Sequence, residues 1–230
     1  MTCRDFGFVH PLVNGEVDFT SSVTCVCRKT EDNRKKKAQF LLKYCQLPED
    51  TESRTFANFD AYTPDLQVAL AAALAFTPDG KKCLVLISKV DKGKSHLAIA
   101  VCREWLKLEM AARYVFVPYL LDELRSAQNH EGDESYFAMM NLYQNVPLLV
   151  LDDIGAEKPT PWTQEKLTTI VHMRWEKGLH TMVTTNKPLD QIPGDDEGRL
   201  GSRLRRYAGD NIYAIEDCGE YSLKGGKDGH

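Results

Sequence analysis

Apolar residues recur in two rhythms along this chain, short unbroken runs and longer segments with helical spacing, and the two alternate from residue 64 to residue 215. The runs Lys82–Ile87, Tyr114–Val117, Pro147–Leu151, His180–Thr185 and Asn211–Ile215 predict strands. Between them, Pro64–Phe76, Ser95 to about Ala111, Leu120–Ala127 and Glu134–Asn145 predict helices. Thr160 and Pro161 place an N-cap and an N1 proline before a further helix that stops at Gly178. Near-continuous apolar strands between helices imply an α/β fold, a parallel sheet covered by helices on both faces.

The N-terminal part is organised differently. Residues 1–30 hold only short strand-like stretches, Phe6–Val9 and Val23–Cys27, too few to bury a core alone. The basic run Arg34–Lys37 opens a predicted helix to about Leu47, with Ala38, Leu41, Leu42 and Cys45 on one face. Pro48–Ser53 is a polar linker, and the glycine-rich end of the chain reads as a flexible tail. The expected organisation is a small Cys-rich module (1–30), a basic helix and linker (31–54), the α/β core (55–218) and the tail (219–230).

A net charge of −4 excludes a uniformly basic nucleic-acid coat but leaves room for a local basic patch. No apolar run reaches the length of a membrane span, and the N-terminus lacks an apolar signal core. A cytoplasmic protein without a membrane partner is expected. Seven cysteines, an odd number without a secretion signal, argue against a disulfide framework. Cys45, Cys83, Cys102 and Cys218 fall singly in apolar or mixed segments and read as small buried thiols. Cys3, His10, Cys25 and Cys27 together offer four Zn2+ ligands, the staple that so small a module needs. Unliganded thiols are the alternative there, because Cys-x-Cys is a less standard spacing than Cys-x-x-Cys.

The candidate chemistry begins at the segment Ser88-Lys89-Val90-Asp91-Lys92-Gly93-Lys94-Ser95-His96, between an apolar strand and a helix. That is the layout of a phosphate-binding loop. Gly93 lets the backbone approach a phosphate, Lys94 is placed for the β- and γ-phosphates, and Ser95 offers a hydroxyl to Mg2+. Gly-Lys-Ser alone is a common tripeptide; the flanking strand and helix make the difference. Downstream, Leu148–Leu151 ends in Asp152 and Asp153. Asp152 fits a carboxylate that binds Mg2+ through water, and Asp153 a general base for the attacking water. A solvated acid pair at a strand end is the plainer reading of that segment taken alone. Asn186 closes the run Met182–Thr185, suited either to orienting a lytic water or to starting a turn. Arg199–Arg206 is a solvated basic face or the source of an arginine finger acting on a neighbouring subunit.

Taken in order, these elements resemble the P-loop AAA+ ATPases of the DnaC-type replicative helicase loaders, with the IstB transposition ATPases as close relatives. Gly93–Ala98 resembles the family's P-loop exit, Leu151–Gly155 its Walker B, Thr184–Asn186 its sensor 1 and Gly201–Leu204 its box VII. Phe56–Asp60 resembles the segment that lies near the adenine. The resemblance implies ATP and Mg2+ as cofactors, little or no helical lid, and Arg203 as the finger, with Arg199 second. It implies a hexameric replicative helicase, single-stranded DNA and copies of the chain itself as partners. Phage-type relatives often carry an N-terminal zinc module, in which Cys3 would be the second half of a pair; its partner would sit one residue before Met1, or else His10 substitutes for it or the site is degenerate. The family loop has glycine where this chain has Ser88 and Asp91. Weakened ATP binding is expected if either position needs φ > 0, and the Asp91 carboxylate repels polyphosphate. A helicase loader with ATPase activity is therefore weighed against a nucleotide-binding-impaired adaptor of the same fold, and against an IstB-like transposition helper.

Overall fold

The computed structural model describes residues 8–9, 12–13, 16–17, 23–24, 26–129, 133–192, 199–219 and 221. Cys3, His10 and Cys25 lie outside these residues, as does the side chain of Cys27, so the zinc expectation falls outside the described structure. The end of the tail lies outside it too. At the N-terminus β1 (Phe8–Val9) pairs antiparallel with β4 (Val23–Thr24), and β2 (Leu12–Val13) pairs with β3 (Glu16–Val17). Helix α1 spans Val26–Cys45. The strand reading of Val23–Cys27 therefore holds only for its first two residues, and the helix starts eight residues before Arg34. Only Leu41 and Cys45 of its expected apolar stripe are buried; Ala38 and Leu42 face solvent, and Tyr44 packs inward instead.

Beyond the linker come α2 (Pro64–Leu74), β5 (Cys83–Ser88), α3 (Lys94–Lys107), β6 (Ala112–Phe116), α4 (Val117–Asn129) and α5 (Asp133–Asn145). Then follow β7 (Leu148–Ile154), α6 (Pro161–Glu176), β8 (His180–Thr185), α7 (Arg199–Ala208) and β9 (Ile212–Ile215). The five strands β5–β9 form one parallel sheet in the order β6-β7-β8-β5-β9. Alternate residues point to opposite faces of a strand, and here both faces are apolar. Val85, Val115, Leu149 and Val183 pack towards α4–α7, while Leu84, Tyr114, Val150 and Met182 pack towards α1–α3. Thr63 caps α2 by accepting from the Leu66 N–H, and Thr160 caps α6 in a reciprocal box with Thr163.

Several expected boundaries move, among them that of the Tyr114–Val117 strand, whose Val117 instead begins α4. The helix read to Ala111 ends at Lys107, and the strand read from Tyr114 begins at Ala112, because Tyr114 and Arg113 are both buried in the sheet. The basic run from Arg199 is helix α7, whose inner face buries Leu200, Leu204, Tyr207 and Ala208 while Arg205 and Arg206 stay exposed. The fully buried Arg174 of α6 clamps the N-terminal end of β8 to the segment that enters β7. Its guanidinium donates to the carbonyls of Tyr143, Val146 and His180 and to the Thr181 hydroxyl at 2.5–2.9 Å. Burial pulls its pKa down to about 10.

Candidate nucleotide site

The loop after β5 delivers Gly93, at φ +83°, as the residue before α3. Among the described residues no side chain caps that helix, which leaves its first N–H groups for an anion. A side chain at Gly93 would meet the Phe59 ring at 2.8 Å, so the position requires glycine for space as well as for conformation. Asp91 also has positive φ, +56°, whereas Ser88 is extended at the end of β5. Glycine's conformational freedom is thus relevant to residue 91 and not to residue 88. Aspartate is one of the residues that tolerates this region best.

Lys94 is 6% exposed. Its ammonium lies 2.8–2.9 Å from the Ser88 carbonyl, the Ser88 hydroxyl, the Lys89 carbonyl and Asn186 Oδ1. Burial lowers its pKa, and the nearby Asp153 and Asp152 carboxylates counter that shift. The Asn186 amide reaches from Lys94 to Asp153, donating from Nδ2 to Asp153 Oδ1 at 2.5 Å. This network fixes which way the amide points.

The acid pair occupies an irregularity of the sheet. Leu151 pairs with Val183, but Ile154 pairs with Thr185, so β7 has one extra residue there. Asp153 takes φ +62° at this bulge. In a regular strand the two carboxylates would point to opposite faces. The bulge lets both enter the same network. Asp152 accepts from Ser95 Oγ at 2.9 Å, from Thr184 Oγ1 at 2.6 Å and from Tyr114 Oη at 2.5 Å. The Asp153 N–H donates to Thr184 Oγ1 at 2.9 Å. Burial and the neighbouring Asp152 charge raise the Asp153 pKa, while Lys94 opposes them. The Tyr114 hydroxyl is held protonated, first by burial and then by Asp152. A hydroxyl beside a buried carboxylate is a hard-oxygen donor set of the kind Mg2+ takes.

Ser88, Lys94, Ser95, Asp152, Asp153 and Asn186 therefore meet in one hydrogen-bonded cluster. Val90, Asp91, Lys92, Gly93 and His96 line a cleft of about 640 Å3 beside it, together with Ser53, Arg54, Asn58 and Tyr221. His96 Nε2 is 2.8 Å from the Thr55 carbonyl, and burial lowers the pKa of its ring. Arg203 is half-buried on α7 and, among the described residues, makes no hydrogen bond to the cluster. The sequence reading missed Tyr114, which lies inside an apolar strand where no local pattern distinguishes it, and gave Thr184 no role beyond its place in the Thr184–Asn186 motif. It also missed Tyr221.

The chain is similar to the replicative helicase loader DnaI of Bacillus subtilis (strain 168), at 28% identity over 191 residues covering 80% of this chain and 60% of that relative. The chain thus spans less than two thirds of DnaI's length. The replicative helicase loader DnaC of Escherichia coli (strain K12) is 24% identical over 193 residues, 83% of this chain and 78% of DnaC. A crystal structure of the DnaI has the same fold, with a TM-score of 0.61 at 23% identity over 76% of this chain and 94% of that one. AMPPCP-bound DnaA from Aquifex aeolicus gives a TM-score of 0.60 at 19% identity over 75% and 53%. These likenesses bear out the AAA+ core fold. The family described as IstB-like ATP binding protein matches residues 13–197. That match takes in well over half of the chain, which therefore belongs to the IstB-like ATP binding protein family.

Proposed function

We propose that this chain binds ATP at the Ser88–His96 loop, hydrolyses it, and acts as a helicase loader in the initiation of DNA replication. The observation that carries the nucleotide half is the bridge from Lys94 through Asn186 to Asp153, beside the Ser95–Asp152 pair. The loader half draws on relatives named replicative helicase loaders. On binding, Lys94 exchanges the Ser88 and Lys89 carbonyls for β- and γ-phosphate oxygens. Ser95 and Asp152 would hold Mg2+, which neutralises phosphate charge. Asp153, whose carboxyl has a raised proton affinity, accepts the proton of the attacking water. Asn186 orients that carboxylate and responds when Lys94 changes partners. Arg203 serves as the finger for a neighbouring copy, which makes self-association part of this reading.

The partners in this reading are a hexameric replicative helicase and single-stranded DNA, in the cytoplasm. No helix among the described residues is long and apolar enough to cross a membrane. The Arg34–Lys37 run of α1 is one candidate DNA contact. Lys37 is paired with Glu109 at 2.9 Å, but the pair is exposed and screened by solvent, so phosphate can compete for it. Zinc bound by Cys3, His10, Cys25 and Cys27 belongs to the same proposal, and metal analysis of protein purified without chelators tests it. A second reading, an adaptor without turnover, is favoured by the Ser88 hydroxyl that holds Lys94 and by the carboxylate at Asp91. The family match favours a transposition-helper variant of the same ATP site.

Loading of purified helicase hexamer onto closed circular single-stranded DNA separates these readings. The loader reading predicts retention that requires this chain and Mg-ATP and fails with Lys94→Ala. Retention indifferent to ATP and to Lys94 identifies the adaptor. Absence of any complex with the helicase overturns both.

A further inference from the structure

The segment after β9 crosses the phosphate loop and is tied to it on both sides. The N–H groups of Glu216 and Asp217 donate to Asp65 Oδ2 in the first turn of α2, at 2.9 and 3.1 Å. Lys92 of the loop donates from its ammonium to the Cys218 carbonyl. The Tyr221 N–H then donates to the Asp91 carbonyl at 2.7 Å, and the Tyr221 hydroxyl accepts from the Asp60 N–H at 2.7 Å. The two loop residues that precede Gly93, Asp91 and Lys92, are thus the ones that seat this strap.

The Tyr221 ring is held as firmly as its backbone. It stacks on Phe59 with centroids 5.1 Å apart and planes 19° apart, and it meets His96 edge to face at 5.9 Å. Phe59 and His96 are themselves edge to face at 5.2 Å. Phe59 is 7% exposed and offers no open face, whereas Tyr221 is half-buried and lines the cleft. Its Cδ2 lies 3.4 Å from where a Gly93 side chain would begin. A nucleotide whose phosphates sit at Gly93–Ser95 has its sugar and base in the remaining space of this cleft. The one aromatic ring of the Phe59–His96–Tyr221 cluster that both lines the cleft and belongs to the strap is Tyr221.

We infer that the strap of residues 216–219 and 221 forms the base end of the nucleotide site, with Tyr221 as the wall on which the nucleobase stacks. This inference rests on the Ser88–His96 loop being the phosphate site. The ring is fixed before ligand arrives, so stacking on it sacrifices little side-chain freedom. Stacking recognises any base by its π-face and more strongly a purine, so Tyr221 contributes affinity for ATP over CTP and none for the phosphate chain alone.

Calorimetric titration with ATP, CTP and inorganic tripolyphosphate, each with Mg2+, tests this on the intact chain and on Tyr221→Ala and Tyr221→Phe. Tyr221→Ala should weaken ATP binding about tenfold, narrow the preference for ATP over CTP, and leave tripolyphosphate affinity unchanged. Tyr221→Phe keeps the ring and should stay within about twofold for all three ligands. ATP affinity unchanged or raised in Tyr221→Ala overturns the inference; a rise would mean that the ring plugs the site. An equal loss for ATP and tripolyphosphate also overturns it, because Tyr221 would then act by supporting the loop. No binding of either ligand to the unaltered chain would overturn the phosphate-site reading itself, and this inference with it.

Discussion

At Gly201 helix α7 packs directly on the backbone of Leu189, three residues after Asn186, and a single methyl group tests that contact. A Cβ added to Gly201 would lie 1.9 Å from the Leu189 carbonyl oxygen and 2.8 Å from its carbon. Ordinary non-bonded contact begins at about 3.5 Å, so α7 and the turn at Leu189–Gln191 must separate by more than about 1 Å. Neither side can give easily. Leu189 and Leu200 are each 3% exposed, and the opposing atoms are backbone rather than the end of a flexible side chain. Overpacking of this kind costs about 1–3 kcal/mol. For a chain of 230 residues that is a fall in Tm of about 2–4 °C per kcal/mol. The expected outcome for Gly201→Ala is therefore a loss of about 4–8 °C for a 2 kcal/mol effect, measured by thermal unfolding followed in the near-UV. Arg203 lies two residues on and moves with the helix, so ATP turnover should fall as well. Ser202→Ala, an exposed neighbour, serves as the control and should change neither quantity. A Gly201→Ala protein with Tm within about 1 °C of the original and full turnover would show that α7 and the Leu189 turn are not packed this tightly.

Other substitutions separate the roles within the site. Replacing Ser88 and Asp91 together by glycine should raise ATP affinity about fivefold, by removing one Lys94 acceptor and a carboxylate near polyphosphate; an unchanged Kd in titration would show that the native loop already accommodates phosphate. Asp153→Asn should lower turnover roughly hundredfold or more yet stabilise the apo protein at neutral pH. The folded-state pKa of Asp153 is raised above its ordinary value of 3.8, so the penalty of ionising it in the fold is present above the raised value and vanishes as pH falls below 3.8. The Tm advantage of Asp153→Asn should accordingly close on acidification to that range, and an advantage independent of pH would show that it does not come from ionising a buried carboxyl beside Asp152. Arg203→Ala should leave ATP binding nearly intact while lowering turnover by about 10³, and mixing it with Lys94→Ala should restore activity above the sum of the two. Mixtures that never exceed that sum would assign Arg203 to the basic surface of α7 instead.

The strands of the core were legible because most are buried on both faces, which leaves an unbroken apolar run such as Leu148–Leu151. The ordered set Lys94, Ser95, Asp152, Asp153 and Asn186 followed from strand ends that the topology brings side by side. What stayed hidden depends on geometry that no local pattern encodes. The bulge at Asp153 has no signature, yet it aims both carboxylates into one network. Tyr114 looks like an ordinary strand residue, and Thr184 like no more than part of the Thr184–Asn186 motif, until their hydroxyls are found on Asp152. Helix α7 was masked by its arginines, although Leu200, Leu204, Tyr207 and Ala208 recur at helical spacing. The early start of α1 was hidden because its first turns, up to Lys37, carry few apolar residues. Tyr221 belongs to a glycine-containing end segment that reads as tail.

The proposed ATP site stands or falls with Lys94, held between Ser88 and Asn186, as the residue that grips phosphate. Its role is accessible to equilibrium titration of ATP with Mg2+ into the unaltered chain and into Lys94→Ala. Saturable binding to the unaltered chain should be abolished by Lys94→Ala, because the substitution removes the ammonium that meets the β- and γ-phosphates. Equal affinity in the two proteins, or no binding to the unaltered chain, would mean that this loop is not an ATP site.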